Sequence, residues 1–470
     1  MATENFDVVI IGSGPGGYVA ACKAGALGKT VACVENDRLG GVCLNWGCIP
    51  TKTLINDAHF YQQMLKQGDS FGVTVDPKKL GESWCKVVKR SRDVAAQLSK
   101  GIEFLFKKSN VKAYKGTAFI PKPGVVEVKD AQGQVVDTLN AKNILVCTGA
   151  RNRDIPGIKP DGKRIITSRE AMVLSELPKR MIVIGAGAIG IEFAYIYNSF
   201  GTQITVIEMQ KQILPVEDEE VSIRLKSIFE KQGMTIHTQT RTDKVEVTES
   251  GVKVTVTDLA TNKQTVLEAD KVLVAVGVTG NTEGLFAPAA TPVIEKGHIK
   301  VDKSFQTNIP GIFAAGDVIG PPWLAHVASF ESTIAVERMF NTSRREMDYT
   351  LVPGGTYCHP QVASVGLTER AAKEKGFDVE IGRYSFAASG KALAINAPEG
   401  FVKLLFVKPH GELLGAHIIG ADATEMIAEL VLAKRLEATK EEIWSTIHAH
   451  PTLSEAVMDA AAAVSGGVSH

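Results

Sequence analysis

Apolar and polar positions along this chain follow a pattern that occurs twice. Phe6–Ile11 is a short apolar run of the kind expected for a parallel strand covered on both faces. It leads into Gly12-Ser13-Gly14-Pro15-Gly16-Gly17, a helical period to about Gly28, and a strand Thr30–Glu35 that ends in an acid. The second copy runs from the strand Met181–Ile184 through Gly185-Ala186-Gly187-Ala188-Ile189-Gly190 and a helix to about Phe200. It closes on the strand Gln203–Glu208, and in both copies the first glycine lies 23 residues before the closing glutamate. Alternating segments follow each copy, Val125–Lys129 with Gln134–Asp137 and Lys244–Thr248 with Val252–Thr257. Each half then ends on an apolar strand running into glycine, Ile144–Gly149 and Val272–Gly277.

Beyond Gly277 the period changes. Asn308–Val318 carries a strand ending Ala314-Ala315-Gly316-Asp317, a helix spans about Ala325 to Phe340, and Arg344–Asp348 is a polar junction. From Tyr357 on, strands (Val362–Val365, Val379–Ser385, Phe401–Val407, Leu413–Ile419) alternate with helices (Glu369–Lys375, Ala423–Leu436, Leu453–Val464). The fold class expected is α/β: two Rossmann-like three-layer nucleotide-binding domains, 1–150 and 151–280, and a central segment 281–350 that completes the first nucleotide site. A C-terminal α+β domain with an antiparallel sheet then covers 351–470.

Composition narrows the field. Lysine plus arginine equals aspartate plus glutamate, 52 of each, which points to no nucleic-acid and no anionic-membrane partner. Seven cysteines, an odd number in 470 residues, argue against a secreted disulfide scaffold and for a reducing compartment. No signal or transit peptide is read before the first strand. Met181–Ala194 is interrupted by three glycines and Glu192, too short and too polar to span a membrane. A bacterial cytoplasmic enzyme is expected; a mitochondrial matrix enzyme without its presequence would read the same. No Cys/His spacing matches a zinc site, so no metal is expected.

Each Gly-x-Gly-x-x-Gly sits between a strand and a helix. The first glycine (Gly12, Gly185) permits the tight turn, the second (Gly14, Gly187) lets backbone approach a pyrophosphate, and the third (Gly17, Gly190) lets helix pack on strand. The helix N-terminus offers unpaired N–H groups to phosphate. Glu35 and Glu208 would bond adenosine ribose hydroxyls; the alternative is two acids that merely end surface strands. After Glu208 comes Met209-Gln210-Lys211-Gln212, with no arginine for a 2′-phosphate, so the second site is read as NAD rather than NADP.

Between these motifs lies Gly40-Gly41-Val42-Cys43-Leu44-Asn45-Trp46-Gly47-Cys48-Ile49-Pro50-Thr51-Lys52. Residues five apart in a regular helix have Cα atoms about 8.6 Å apart, beyond what a disulfide bridges without backbone movement. Either Cys43 and Cys48 are two structural thiols, or the segment is distorted and the pair is redox-active. Two dinucleotides beside a cysteine pair imply an electron relay from thiol to flavin to nicotinamide, with FAD in the first domain and NAD in the second. Near the C-terminus, His450-Pro451-Thr452-Leu453-Ser454-Glu455 offers an acid–base group with a carboxylate to orient it; His448 is its local competitor, and a lone histidine is often structural.

Taken together, Gly41–Lys52, the two glycine motifs, Thr307–Val318 and His448–Glu455 resemble the class I pyridine nucleotide–disulfide oxidoreductases over essentially the whole length. The resemblance implies that Cys43 exchanges with substrate sulfur and that Cys48 lies against the flavin as a thiolate. It implies that Lys52 stands near flavin N5 with Glu192 as its ion-pair partner, where residues alone would also allow a solvated lysine. It places Gly116, Thr148, Gly149, Ala150, Asp317, Trp323, Leu324, Ala325 and His326 against FAD, and Thr242 and Gly277 against NAD. His450 becomes the acid–base group with Glu455 behind it, and His359-Pro360 and His450-Pro451 fall where cis peptides occur. The C-terminal domain becomes an interface domain of a homodimer, each site drawing on two subunits.

Within that family, the chain resembles the branch that oxidises protein-bound dihydrolipoamide with NAD in three features: both cysteines are kept, no cysteine follows Cys358, and Met209–Gln212, directly after Glu208, holds no arginine. That branch implies partners in the lipoyl domains and core acyltransferase of 2-oxo acid dehydrogenase complexes, or the lipoyl carrier protein of glycine cleavage. The rival readings are a glutathione-type NAD(P)H-dependent disulfide reductase and a catalytically silent FAD-binding assembly subunit. The departures from the family pattern are Val42, Trp46, Thr51 and the absence of a basic pair at Val278-Thr279.

Overall fold

The computed structural model describes residues 3–74, 76 and 84–466. They fall into two compact units. One is built from Met1–Thr53, Cys85–Asp154 and Gly277–Met347, the other from Leu54–Trp84, Ile155–Val276 and Asp348–His470.

In the first unit the chain runs β1 (Thr3–Ile11), α1 (Pro15–Ala26), β2 (Val31–Glu35), α2 (Gly41–Trp46), the start of α3 (Cys48–Gln67, counted with the second unit from Leu54 on) and α4 (Trp84–Lys108, counted here from Cys85 on). Four further strands follow: β3 (Val111–Lys115), β4 (Thr117–Lys122), β5 (Val125–Lys129) and β6 (Val135–Val146). The sheet order is β3-β2-β1-β6-β5-β4, parallel from β3 to β6 and antiparallel across β5 and β4. The two strands expected at Gln134–Asp137 and Ile144–Gly149 are one strand, β6, that changes partners along its length. Val135–Asn140 pairs with β5, whereas Ile144–Val146 pairs with Ile312–Ala314. Residues 281–350 therefore contribute a seventh strand to the first sheet. Val8 and Ile10 bury against α1 on one face, and Val9 and Ile11 against Val126, Val128 and Leu139 on the other. A strand covered on both faces is the reason its sequence is a continuous apolar run.

The second unit repeats the plan. A parallel sheet has the order Thr235–His237, Gln203–Ile207, Arg180–Ile184, Lys271–Val274, Ile165–Ile166, beside an antiparallel set Thr240–Val247, Val252–Asp258, Gln264–Ala269. The C-terminal part is a five-stranded antiparallel sheet ordered Gly354–Thr356, Gln361–Gly366, Leu413–Gly420, Phe401–Val407, Val379–Ser385. The helices Ala423–Arg435 and Glu455–Ser465 contribute Met426, Ile427, Leu430, Val457, Ala460 and Ala461 to its core. Lys403, on the strand Phe401–Val407, is 1 % exposed, and its ammonium sits 2.9 Å from Asp218, 2.7 Å from Glu220 and 2.7 Å from Glu369. An isolated buried ammonium would be costly, and the carboxylates surrounding it supply the compensation. Asp218 also caps the helix Glu219–Lys231, accepting the Glu220 N–H. That helix was not expected from the sequence, although an aspartate ahead of two glutamates is a recognisable N-terminal signal.

Candidate functional site

The two glycine loops are built alike. Gly12 and Gly185 adopt φ +92° and +99°, where a side chain would also strike the backbone of Cys147 or Ala275. At Gly17 and Gly190 a Cβ would lie 1.8 and 1.9 Å from the carbonyl oxygens of Gly12 and Gly185, so the helix could not pack on its turn. At Gly14 and Gly187 no atom lies within 4 Å of such a Cβ. These two positions are the N-caps of α1 and of the helix Ala188–Ser199, and neither helix has a side-chain cap. Uncapped N–H groups beside open space fit a pyrophosphate.

Glu35 and Glu208 are buried and do more than end a strand. Glu35 accepts the N–H and hydroxyl of Ser13 through Oε2 (2.9 and 2.7 Å) and the Asp37 N–H through Oε1 (2.8 Å). Glu208 accepts the Ala186 N–H (2.7 Å) and the Gln210 N–H (2.8 Å) in the corresponding places. Each carboxylate thus ties its strand end to its glycine loop and still has lone pairs for a ribose hydroxyl. The residue that follows the first loop glycine was missing from the sequence reading; its backbone N–H is what each glutamate grips.

Other expected cofactor positions show unmet bonding capacity. Burial pushes the Asp317 carboxyl from 3.8 up to about 6, and among the described residues none donates to it. Such a carboxylate fits the hydroxyls of a ribityl chain. Glu331, buried and not expected from the sequence, accepts the N–H of Gly316 at 2.8 Å and so fixes the loop bearing Asp317. The helix Ala325–Met339 has Leu324 as N-cap without a side-chain bond, and the positive end of its dipole suits the ring of a flavin. The Trp323 indole nitrogen and the Thr242 hydroxyl are buried without a hydrogen-bond partner among the described residues. Thr242 lies where the strand pairing shifts register between Thr242 and Lys244, a bulge that re-aims its side chain. Gly116, Gly149 and Gly277 adopt φ +156°, +68° and +99°; Thr148 donates to the Asn281 carbonyl, and Ala150 opens the strand Ala150–Asn152. Val278-Thr279 faces Asn152 and Arg151 across a two-stranded pairing, and Arg151 is held there by Glu283 and the Gly280 carbonyl.

The cysteine segment is distorted, the conformation that a redox-active pair at this spacing needs. α2 stops at Trp46, Gly47 takes φ −149° and ψ −115°, and Cys48 begins α3. Gly40 and Gly41 enter the segment at φ +94° and +59°. Both cysteines are free thiols, and their sulfurs are hydrogen-bonded to one another. That bond, burial and the charge of Cys48 hold the Cys43 proton well above the usual thiol range, against the pull of Lys52. Cys43 is therefore the member of the pair that keeps its proton. Cys48 stands at the N-terminus of a 20-residue helix, the end that favours a thiolate.

In the second unit Glu192 is buried and accepts the Tyr357 N–H at 3.0 Å. His450 Nδ1 lies 2.8 Å from Glu455 Oε1, and Glu455 Oε2 accepts the Thr452 N–H at 2.7 Å. A carboxylate only accepts, so Nδ1 carries the proton and Nε2 presents a lone pair. The imidazole is 81 % exposed, open to a reacting group. His448 differs: both its nitrogens are occupied, by Glu429 and the Thr446 carbonyl, each at 2.8 Å, and its ring is buried, so neither nitrogen is open to a reacting group. The peptide bonds His359-Pro360 and His450-Pro451 are cis. Among the described residues no group of three or more His, Cys, Asp or Glu is arranged for a metal, and no helix is long and apolar enough to cross a membrane.

Comparison with known proteins agrees with this geometry. Residues 6–332 match the pyridine nucleotide-disulphide oxidoreductase family, and residues 352–461 match its dimerisation domain. The chain is 48 % identical to a dihydrolipoyl dehydrogenase of Chlorobaculum tepidum (97 % of this chain, 96 % of that protein). It is 41 % identical to one of Bacillus subtilis over the full length of both. Among solved structures it resembles LpdA of Mycobacterium tuberculosis, with a TM-score of 0.88 at 27 % identity over 97 % of this chain and 99 % of that one. Paired glycine loops, a broken helix bearing two thiols and full-length kinship lead to one conclusion: the chain belongs to the pyridine nucleotide-disulphide oxidoreductases.

Proposed function

We propose that the protein oxidises dihydrolipoamide carried on a partner protein and reduces NAD, with FAD as its internal relay. The observation that carries this reading is the hydrogen-bonded Cys43–Cys48 pair at the break between α2 and α3, in a unit whose glycine loop and Asp317 suit FAD. FAD, when bound, accepts the electron pair from the thiols and hands it to NAD as hydride. Everything else falls to the chain. Gly14 and Gly187 admit the pyrophosphates, Glu35 and Glu208 hold the riboses, and Glu208 repels a 2′-phosphate. Lys52 favours negative charge close to the thiol pair. His450 Nε2 removes a substrate thiol proton while Glu455 stabilises the imidazolium. In the oxidised pair, joined as a Cys43–Cys48 disulfide, the substrate thiolate attacks Cys43 Sγ, the S–S bond breaks and Cys48 leaves as thiolate; the second substrate thiolate then displaces Cys43 and closes the lipoamide disulfide.

The reading divides the chain into FAD-binding (1–150), NAD-binding (151–280), central (281–350) and interface (351–470) segments, works in the cytoplasm, and serves lipoyl domains of 2-oxo acid dehydrogenase or glycine cleavage systems. The matching dimerisation domain supports a homodimer, and in this reading His450 of one subunit serves Cys43 of the other. One assay tests the chemistry. Dihydrolipoamide should reduce NAD, whereas oxidised glutathione should not drive NADPH oxidation; the reverse result overturns the assignment. Mixing Cys43→Ser and His450→Ala subunits tests the assembly. Half of randomly reassociated dimers are mixed and hold one intact site of two, so activity should return to about a quarter of wild type. Mixed dimers that form but stay inactive would place the site within one subunit.

A further inference from the structure

Trp46, which interrupts the family pattern two residues before Cys48, is the centre of a clamp. Its indole N–H donates to Asp37 Oδ2 at 2.9 Å, and the guanidinium carbons of Arg92 and Arg38 lie 5.0 and 5.9 Å from its ring centroid. Arg92, reaching in from α4, also donates through Nη1 to the Asn45 carbonyl at 2.6 Å, on the last turn of α2. Asn45 is 1 % exposed; its amide donates to the carbonyls of Leu39 and Gly41, both at 3.0 Å, and its Oδ1 accepts the Ser99 hydroxyl at 2.9 Å. Every contact ends on the six-residue helix that carries Cys43 and stops where Cys48 begins.

The electrostatics have a direction. The carbonyls at the C-terminus of α2 are the negative end of that helix, and the chain passes from them through Gly47 to Cys48, the sulfur that must carry negative charge. Arg92 occupies one of them with a cation. Two guanidiniums, Arg92 and Arg38, and the carboxylate of Asp37 surround the Trp46 ring, two residues before Cys48. Half-buried Arg92 keeps its place although burial and the charge of Arg38 both oppose its ionisation, and stacking on Trp46 is what offsets them.

We propose that Arg92, acting through Trp46 and the Asn45 carbonyl, is a positioning residue for the thiol pair: it fixes the helix break at Gly47 and favours the thiolate of Cys48. The inference rests on the flavin–dithiol reading above. The other ionisable groups recorded against the thiol pair are Lys52 on α3, which acts on Cys43, and Tyr18 on α1, which feels both cysteines; none of them is replaced in the variants below.

The test uses the FAD-loaded enzyme, reduced by one equivalent of dihydrolipoamide, with the thiolate-to-flavin absorbance followed against pH. Arg92→Met should move the midpoint of that band upward by roughly 0.5 pH units, the size of a cation removed from a helix C-terminus. Trp46→Leu should shift it the same way, and Arg92→Lys should restore most of the wild-type midpoint. An Arg92→Met midpoint equal to wild type, or a shift that lysine does not reverse, overturns the proposal. Should Arg92→Met fail to retain FAD, Trp46→Leu decides in the same way. Absence of the band in the wild-type enzyme would instead overturn the flavin–dithiol reading itself.

Discussion

Replacing Asp317 by asparagine separates the cost of building the first nucleotide site from its benefit. Burial raises this carboxyl from 3.8 to about 6, so the folded apoprotein holds the proton more tightly than the unfolded chain does. Below pH 3.8 both states are protonated and the group contributes nothing; stability is then lost as pH rises towards 6 and stays lost above it. The difference corresponds to about 3 kcal/mol at pH 7.5 and about 1 kcal/mol at pH 4.5. Asparagine has nearly the same volume and no charge to desolvate. FAD-free Asp317→Asn should therefore exceed FAD-free wild type in stability by up to about 3 kcal/mol at pH 7.5, with the gap closing on acidification. FAD should reverse the ranking, because hydroxyls that donate to a carboxylate bond an amide oxygen less strongly; a loss of roughly tenfold or more in FAD affinity is expected. Urea unfolding of both apoproteins at the two pH values and one protein concentration measures the first effect, and quenching of flavin fluorescence measures the second. If the apo variant is no more stable at pH 7.5, or the gap persists unchanged at pH 4.5, burial does not hold this carboxyl up and its assignment to the flavin site loses its physical basis.

Three further outcomes are expected. Cys43→Ser should retain FAD and the thiolate-to-flavin absorbance while losing lipoamide turnover; the band surviving in Cys48→Ser and vanishing in Cys43→Ser would exchange the two roles. NAD should be preferred to NADP by roughly a hundredfold or more in kcat/KM, since the Glu208 carboxylate is fixed by two backbone N–H groups and cannot turn away from a 2′-phosphate; comparable values with both nucleotides would contradict this. Burial and the charge of His59, whose ring lies 3.7 Å away at a tilt of 32°, hold His359 down from 6.5 to about 3. The unfolded chain therefore binds the proton first, and stability, complete above 6.5, is lost as pH falls towards 3. The loss reaches about 1.4 kcal/mol at pH 5.5, and urea midpoints of His359→Asn should show a correspondingly shallower decline between pH 7.5 and 5.5.

What could be read from the sequence was whatever depends on neighbours along the chain. Gly17 and Gly190 are dictated by a clash five residues away in sequence, so the motif carries its own geometry. The glycines around Cys43 and Cys48 likewise announced a broken helix. Features that depend on distant partners were invisible. β6 looked like two strands because its two ends answer to different neighbours, β5 and Ile312–Ala314. Glu331 looked like any acid on a helix until the fold brought it to the Gly316 N–H. Trp46 was read as a mild departure because Arg92, the residue that gives it meaning, lies 46 positions further on in α4.

The ion cluster at Lys403 bears on how this chain can be divided. The dimerisation match begins at residue 352, which invites expression of that portion alone. Yet two of the three carboxylates around the Lys403 ammonium, Asp218 and Glu220, come from the nucleotide-binding stretch. An excised C-terminal fragment would carry a lysine in its sheet with only Glu369 of the three remaining, at a cost of several kcal/mol to a small domain. The boundary seen by sequence matching is thus one of ancestry and not of autonomy. A fragment meant to stand alone would need Lys403 exchanged for an apolar residue of similar length, such as methionine, before its dimerisation could be studied in isolation.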